Sequence, residues 1–218
     1  MNVVNIILWS SALLAFCFSL GVDANEDVGL INRLHGDVSY QGAGVASAKA
    51  TAFMKVREGD RFAVPAGGVL TIVYFDSGRQ EIWKGPSNFK AGLKQSDGQS
   101  GNPDVSQLPG GVPARLSQTA KVIQIAKLGR AAGVMVRSVK PKLTPAQAEE
   151  VSQAKRTYDS WKATTDADDI TPELYLYTVL HAHMLYDDMK AVVATMQYKQ
   201  PNSPEVKDMA AWVSGRQN

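Results

Sequence analysis

Between Gly67-Gly68 and Asp76-Ser77-Gly78 stand seven residues, VLTIVYF, almost all β-branched or aromatic. A run of this kind, closed by turn residues at both ends, reads as a buried strand. It sets the pattern for the residues around it. Leu30-Ile31 and Leu34 lead to Gly36-Asp37, and Val38 to Tyr40 follow. Phe53 to Val56 ends at Glu58-Gly59-Asp60, and Phe62 to Val64 ends at Pro65. After the Asp76-Ser77-Gly78 turn, Arg79 to Trp83 returns as far as Gly85-Pro86, and Phe89 begins a last short strand. Short strands with turns every eight to twelve residues predict a small all-β sandwich or roll over 28–93.

Residues 94–106, including QSDGQSGNPDVS, lack apolar periodicity and read as a polar linker or exposed loop. Residues 107–143 carry seven basic side chains (Arg115, Lys121, Lys127, Arg130, Arg137, Lys140 and Lys142) and no acid. A helix is expected from Ala114 to Leu128, with Pro113 in its first turn and Gly129 just past its end. Gly133 to Val136 reads as a strand. The basic residues point in different directions on a helical wheel. They suit pairing with the acidic last third better than a dedicated stripe for an anionic partner.

Residues 144–218 read as a helical domain. Thr144-Pro145, Thr171-Pro172 and Ser203-Pro204 repeat one start signal: a hydroxyl cap followed by proline at the first helical position. Thr144 and Gln147 fit a capping box. Val151, Ala154, Tyr158 and Trp161 form an apolar stripe on the first helix. Leu176, Val179, Leu180, His183 and Met184 lie on the second. A break is expected at Tyr186-Asp187-Asp188, with a further helix over Met189 to Tyr198 and a last one from Pro204 to Val213. The expected fold class is therefore α+β, an N-terminal small all-β sandwich or roll followed by a C-terminal helical-hairpin domain.

The N-terminus has its own character. Ile6 to Leu20 is apolar except for Ser10, Ser11 and Ser19, and Val22-Asp23-Ala24 suits the end of a leader. Residues 1–24 are expected to be a secretory signal peptide cleaved after Ala24. The run falls short of the ~20 residues of a spanning helix. The alternative is an uncleaved anchor, and membrane association follows only in that case. Phe16 before Cys17 is too bulky for a lipoprotein box. Because Cys17 is the only cysteine, the mature chain is expected to have no disulfide. Localisation is expected to be periplasmic or secreted. The chain's formal net charge of +2 does not suggest nucleic acid as a partner.

Chemistry-bearing residues are sparse. His181 and His183, two apart on a helix, do not share a face and are not expected to hold one metal ion. His183 is expected partly in the helix interface and His181 in solvent. Asp166, Asp168 and Asp169 resemble a calcium loop but lack its glycine and closing glutamate, so they read as an acidic helix–helix loop. No catalytic set and no cofactor is expected. One face of the return strand, Arg79, Glu81 and Trp83, offers candidate ligand-binding residues, if it is not covered by the basic segment.

Taken together, Gly29-x-Ile31-x-x-Leu34-x-Gly36-x-Val38, Val56-x-x-Gly59-Asp60, Gly67-Gly68, the Val69–Phe75 strand and Asp76-x-Gly78 resemble the FecR-type periplasmic domain. The similarity covers about 65 residues, 28–92. It implies a non-enzymatic envelope domain that binds something. Founding members carry a cytoplasmic sigma-factor-binding segment. Here only Met1 to Asn5 stand ahead of the apolar run, so no such role is expected. The Pro-led antiparallel helices resemble tetratricopeptide-type hairpins. They depart from that pattern in the placing of small residues, and there are barely two hairpins. The leading expectation is an envelope binding or scaffold protein with a protein partner. The alternative is an envelope glycan-binding module, and the third reading is an unrecognised hydrolase.

Overall fold

The computed structural model describes residues 26–44, 46–132, 136–137 and 141–217. The leader, its cleavage after Ala24 and residues 133–135 of the expected strand lie outside them. Twelve strands and six helices are described: β1 (Asp27–His35), β2 (Ser39–Gln41), β3 (Ala48–Lys49), β4 (Lys55–Arg57), β5 (Arg61–Val64), β6 (Val69–Tyr74), β7 (Arg79–Lys84), β8 (Ser87–Ala91), β9 (Ser96–Ser100), β10 (Asp104–Gln107), α1 (Val112–Leu116), α2 (Thr119–Ala132), β11 (Val136–Arg137), α3 (Pro145–Lys162), α4 (Thr171–Ala182), α5 (Tyr186–Lys199), α6 (Pro204–Ser214) and β12 (Arg216–Gln217). The fold is α+β. Two five-stranded antiparallel sheets are ordered β10-β7-β6-β1-β4 and β3-β2-β5-β8-β9, and helices follow them. A short parallel pair joins β11 to β12.

The first sheet is a middle layer. Ile31, Leu70, Ile72, Tyr74 and Trp83 point into the space between the sheets, where they meet Val38, Phe62 and Phe89. Leu30 and Val73 point the other way and join the core of the helices. This explains why β6 is almost continuously apolar: both of its faces are covered. Between the sheets the aromatic rings stack in sequence. Ring centroids are 6.1 Å apart for Tyr40 and Phe62, 5.2 Å for Phe62 and Phe89, and 4.2 Å for Phe89 and Trp83. At the tip of the β6–β7 hairpin Gly78 has φ +66°, the left-handed conformation that such a turn needs.

The polar stretch 94–106 is not a linker. It forms β9, which pairs with β8, and β10, which pairs with β7. Each is an outer strand of its sheet with mostly exposed side chains. Neither therefore shows the apolar alternation from which a half-buried strand is read.

The helices also differ in detail from expectation. The basic-segment helix is split at Ser117-Gln118 into α1 and α2, and α2 runs on through Gly129. The Thr144–Gln147 capping box and the Ser203 cap form as expected. Thr171 is not a cap. It is the first residue of α4, and its own N–H and hydroxyl are taken by the Asp169 carboxylate. The break after α4 falls at His183 to Leu185, and Asp187 and Asp188 lie in the first turn of α5, where negative charge is favoured. α4 is the hub, buried along Thr171 to Leu180 and contacting α1, α2, α3 and α5.

Candidate functional site

β1 and β6 lose register between Ile31 and Arg33, which makes Asn32 the extra residue of a bulge. A bulge re-aims side chains. Asn32 is fully buried, and its amide donates to the Thr171 hydroxyl at the start of α4. Thr171 in turn donates to Asp169, which also accepts from Gln80 Nε2 on β7 at 3.2 Å. One buried polar chain thus ties the sheet to the first turn of α4.

Arg33, the next residue on β1, reaches the loop between α3 and α4. Its guanidinium lies 2.5 Å from Asp168 and 3.5 Å from Asp166. The far side of the same loop is held by the end of α5. Lys199 Nζ donates to the Asp169 carbonyl at 2.9 Å and lies 3.0 Å from the buried Glu173 carboxylate, while Gln200 Nε2 donates to the Asp168 carbonyl at 2.9 Å. Glu173 also accepts from the Tyr158 hydroxyl, whose pKa is pushed up to about 12 by burial and by that carboxylate. The three aspartates that imitate a calcium loop are therefore occupied in joining the two regions. Among the described residues no group of three or more His, Cys, Asp or Glu is placed to hold a metal ion.

Beside this seam opens a cleft of about 810 Å³. The end of β1, the β3–β4 loop and the start of β6 form one wall, and the α5–α6 connection forms the other. Leu34, Ala52, Val69, Pro201 and Pro204 give it apolar surface. Arg33, Lys49, Lys199, Asp168 and Glu205 stand around that surface. Most of these charges are paired: Arg33 with Asp168, Lys199 with Glu173, Lys49 with Asp37 and Glu205 with Lys127. A concave apolar surface with a few fixed polar groups suits holding a ligand by shape and hydrogen bonds.

The residues singled out on β7 lie elsewhere. Arg79, Glu81 and Trp83 do share one face, but that face is turned into the sandwich and covered by the second sheet, not by the basic segment. Glu81 is 0% exposed and Trp83 1%. Glu81 accepts from Arg79 Nε at 2.6 Å, Trp83 Nε1 at 3.1 Å and the Ser96 N–H at 3.2 Å. The trio is a satisfied interior network and presents no open ligand face. Gln80 and Asn32, which sequence reasoning passed over, carry the polar link between the layers. Asn32 had a signal, a polar residue between Leu30-Ile31 and Leu34 in a mostly apolar strand, whereas Gln80 had none, because β7 is polar at most positions.

His181 is not in solvent. Its ring lies 5.2 Å from Trp212 and 6.4 Å from Tyr177, and burial together with Arg216 lowers its pKa. His183 faces Glu150, 3.0 Å away, and burial and the nearby Arg115 lower its pKa too. The two point to different neighbours. Two side chains of the basic segment pair with the acidic helices: Arg115 with Glu150 on α3, and Lys127 with Glu205 on α6 at 3.9 Å.

No family model matches the chain, and no curated protein or solved structure is similar to it.

Proposed function

We propose that this chain is a non-catalytic binding protein of the bacterial cell envelope, FecR-like in its β region, that holds a protein partner in the seam cleft. The observation that carries this reading is the joint construction of the cleft by the sandwich and the α5–α6 connection. Arg33 and Lys199 grip the same loop from opposite sides and fix the two walls in register. A preformed apolar trough with its charges already paired asks little reorganisation of itself on binding. The apolar leader supports an envelope location, and the turn pattern of 28–92 supports a FecR-type domain.

The test is site-specific photo-crosslinking in cells. A crosslinker at Thr51 or Asn202, on opposite walls, is expected to give the same protein adduct, and one at Glu149 on α3 none. Recovery of cell-wall polymer without any protein adduct would overturn the reading.

A further inference from the structure

A second cleft, of about 500 Å³, lies across the acidic loop from the first. One wall is the outer face of the first sheet: Gln80 and Ile82 on β7, and Ser106, which is paired with Gln80 in register, on β10. The other is the C-terminal end of α3 and the residues after it, with Trp161, Thr164 and Thr165. The Trp161 indole is partly exposed, and its ring meets Tyr175 edge to face at 6.5 Å, which fixes its plane. Gln107 adds a second amide at the rim.

We propose that this cleft is a binding site for a neutral oligosaccharide. Three features point to that chemistry. First, a partly exposed indole faces a polar wall across a trough. The C–H face of a sugar ring packs on an aromatic face, and its hydroxyls need donors and acceptors around the edge. Ser106 and the second N–H of each glutamine amide can donate, and the Thr164 and Thr165 hydroxyl oxygens, whose protons go to the Trp161 carbonyl, can accept. Gln80 is 6% exposed, and its Oε1 accepts no hydrogen bond from any described group. A sugar hydroxyl reaching the floor would satisfy it.

Second, the described residues that line the cleft include two aspartates and no Lys, Arg or His. Asp166 is engaged with Arg33, and Asp169 with Thr171 and Gln80. An anionic polymer would meet carboxylates and no cation, so the ligand is uncharged. Third, the cleft opens on the face of the sheet, not along its edge. The β7 and β10 backbones at Gln80 and Ser106 are committed to their mutual ladder. At these two positions the ligand meets side chains and not free backbone, which disfavours an extended peptide that binds there by strand addition.

Isothermal titration of the full chain tests the site. The probes are chitotetraose, cellotetraose and maltotetraose, with tetragalacturonate as the anionic counterpart and a neutral alanine-rich peptide as the competing class. At least one neutral oligosaccharide is expected to bind. Affinity is expected to fall about tenfold or more in Trp161→Ala, and likewise in Thr164→Arg, which fills the trough from an exposed position without touching the core. Tyr198→Ala, at an exposed site on α5, leaves binding unchanged. Circular dichroism checks each fold, and Thr164→Arg decides the matter if Trp161→Ala unfolds. The proposal is overturned if none of the three neutral sugars binds, if Thr164→Arg binds as well as the parent, or if tetragalacturonate or the peptide binds as tightly as the best neutral sugar. The crosslinking result at the seam cleft is independent of each of these outcomes.

Discussion

The Gln80 side-chain amide donates to the Asp169 carboxylate at 3.2 Å, joining positions 89 residues apart in the chain. Asp169 is 4% exposed and accepts in addition from the Thr171 N–H at 2.8 Å and the Thr171 hydroxyl. This one carboxylate therefore starts α4 and fastens it to β7. Asp169→Ala leaves three buried donors without an acceptor. Each unsatisfied donor costs about 1–3 kcal/mol, and relaxation recovers part, so a net loss of about 3 kcal/mol is expected in urea unfolding. Asp169→Asn retains an oxygen acceptor and loses less. A loss under about 1 kcal/mol for the alanine variant would count against the seam as a structural tie.

The Trp83 network makes a different claim. Trp83 stacks on Phe89 and donates to Glu81, and Gly98 lies close against its ring. Trp83→Ala is expected to cost about 3–5 kcal/mol, the range for emptying a large aromatic site. Whatever protein retains the ability to bind ligand after refolding should do so with unchanged affinity, because Trp83 lines neither cleft. A selective loss of affinity in a stably folded Trp83→Phe variant would restore the β7 face as a binding surface.

Gly85 has a steric role. A Cβ at this position would stand 1.8 Å from the Pro65 carbonyl oxygen and 2.8 Å from that of Val64. Both are backbone atoms, so no side-chain rotation relieves the clash. Gly85 N–H also donates to the Gly68 carbonyl at 3.0 Å, tying the end of β7 to the turn before β6. Gly85→Ala is expected to lose about 3 kcal/mol or to fail to accumulate, since overpacking against fixed backbone is at the upper end of its usual cost. Gly110→Ala is the matched control, because a Cβ there meets nothing within 4 Å.

These residues show what could be read from the sequence. Turns and caps are local chemistry, and the Asp76-Ser77-Gly78 turn, the Thr144–Gln147 box and the Ser203 cap form where they were expected. Burial is not local. Arg79, Glu81 and Trp83 alternate to one face as strand geometry requires, but which face is covered depends on the second sheet. That sheet is assembled from short segments between residues 39 and 100. The edge strands β9 and β10 were hidden for the converse reason: a strand exposed on both sides has no apolar period. Thr171 carried a cap's signature, but it stands inside α4 as its first residue, and the Asp169 carboxylate two residues earlier accepts from the Thr171 N–H. The two clefts depend on the Asn32 bulge and the Asp166–Asp169 loop meeting, a contact across more than 130 positions.

The two helix-borne histidines predict how stability varies with pH. His181 lies among Tyr177, Trp212 and Arg216, and burial first, then the Arg216 charge, holds its pKa below the ordinary value. His183 is lowered by burial and by Arg115, which shares the Glu150 carboxylate with it. A histidine whose folded pKa is depressed binds its proton more readily when the chain is unfolded. The stability that it contributes is fully present above the unfolded value of about 6.5, and is lost as pH falls through the lower folded value. The melting temperature is therefore expected to hold steady above pH ~7 and to decline as pH is brought below ~6.5. His181→Gln should lower the plateau, because ring packing against Trp212 is lost, yet flatten the decline. Arg216→Met should raise the His181 pKa toward its ordinary value and flatten the decline without removing the imidazole. The histidine NMR titration separates the two sites. A His181 pKa at or above the ordinary value, or a melting temperature that rises on acidification through this window, would show that the imidazole is paired in its charged form and that the aromatic cluster does not exclude the proton.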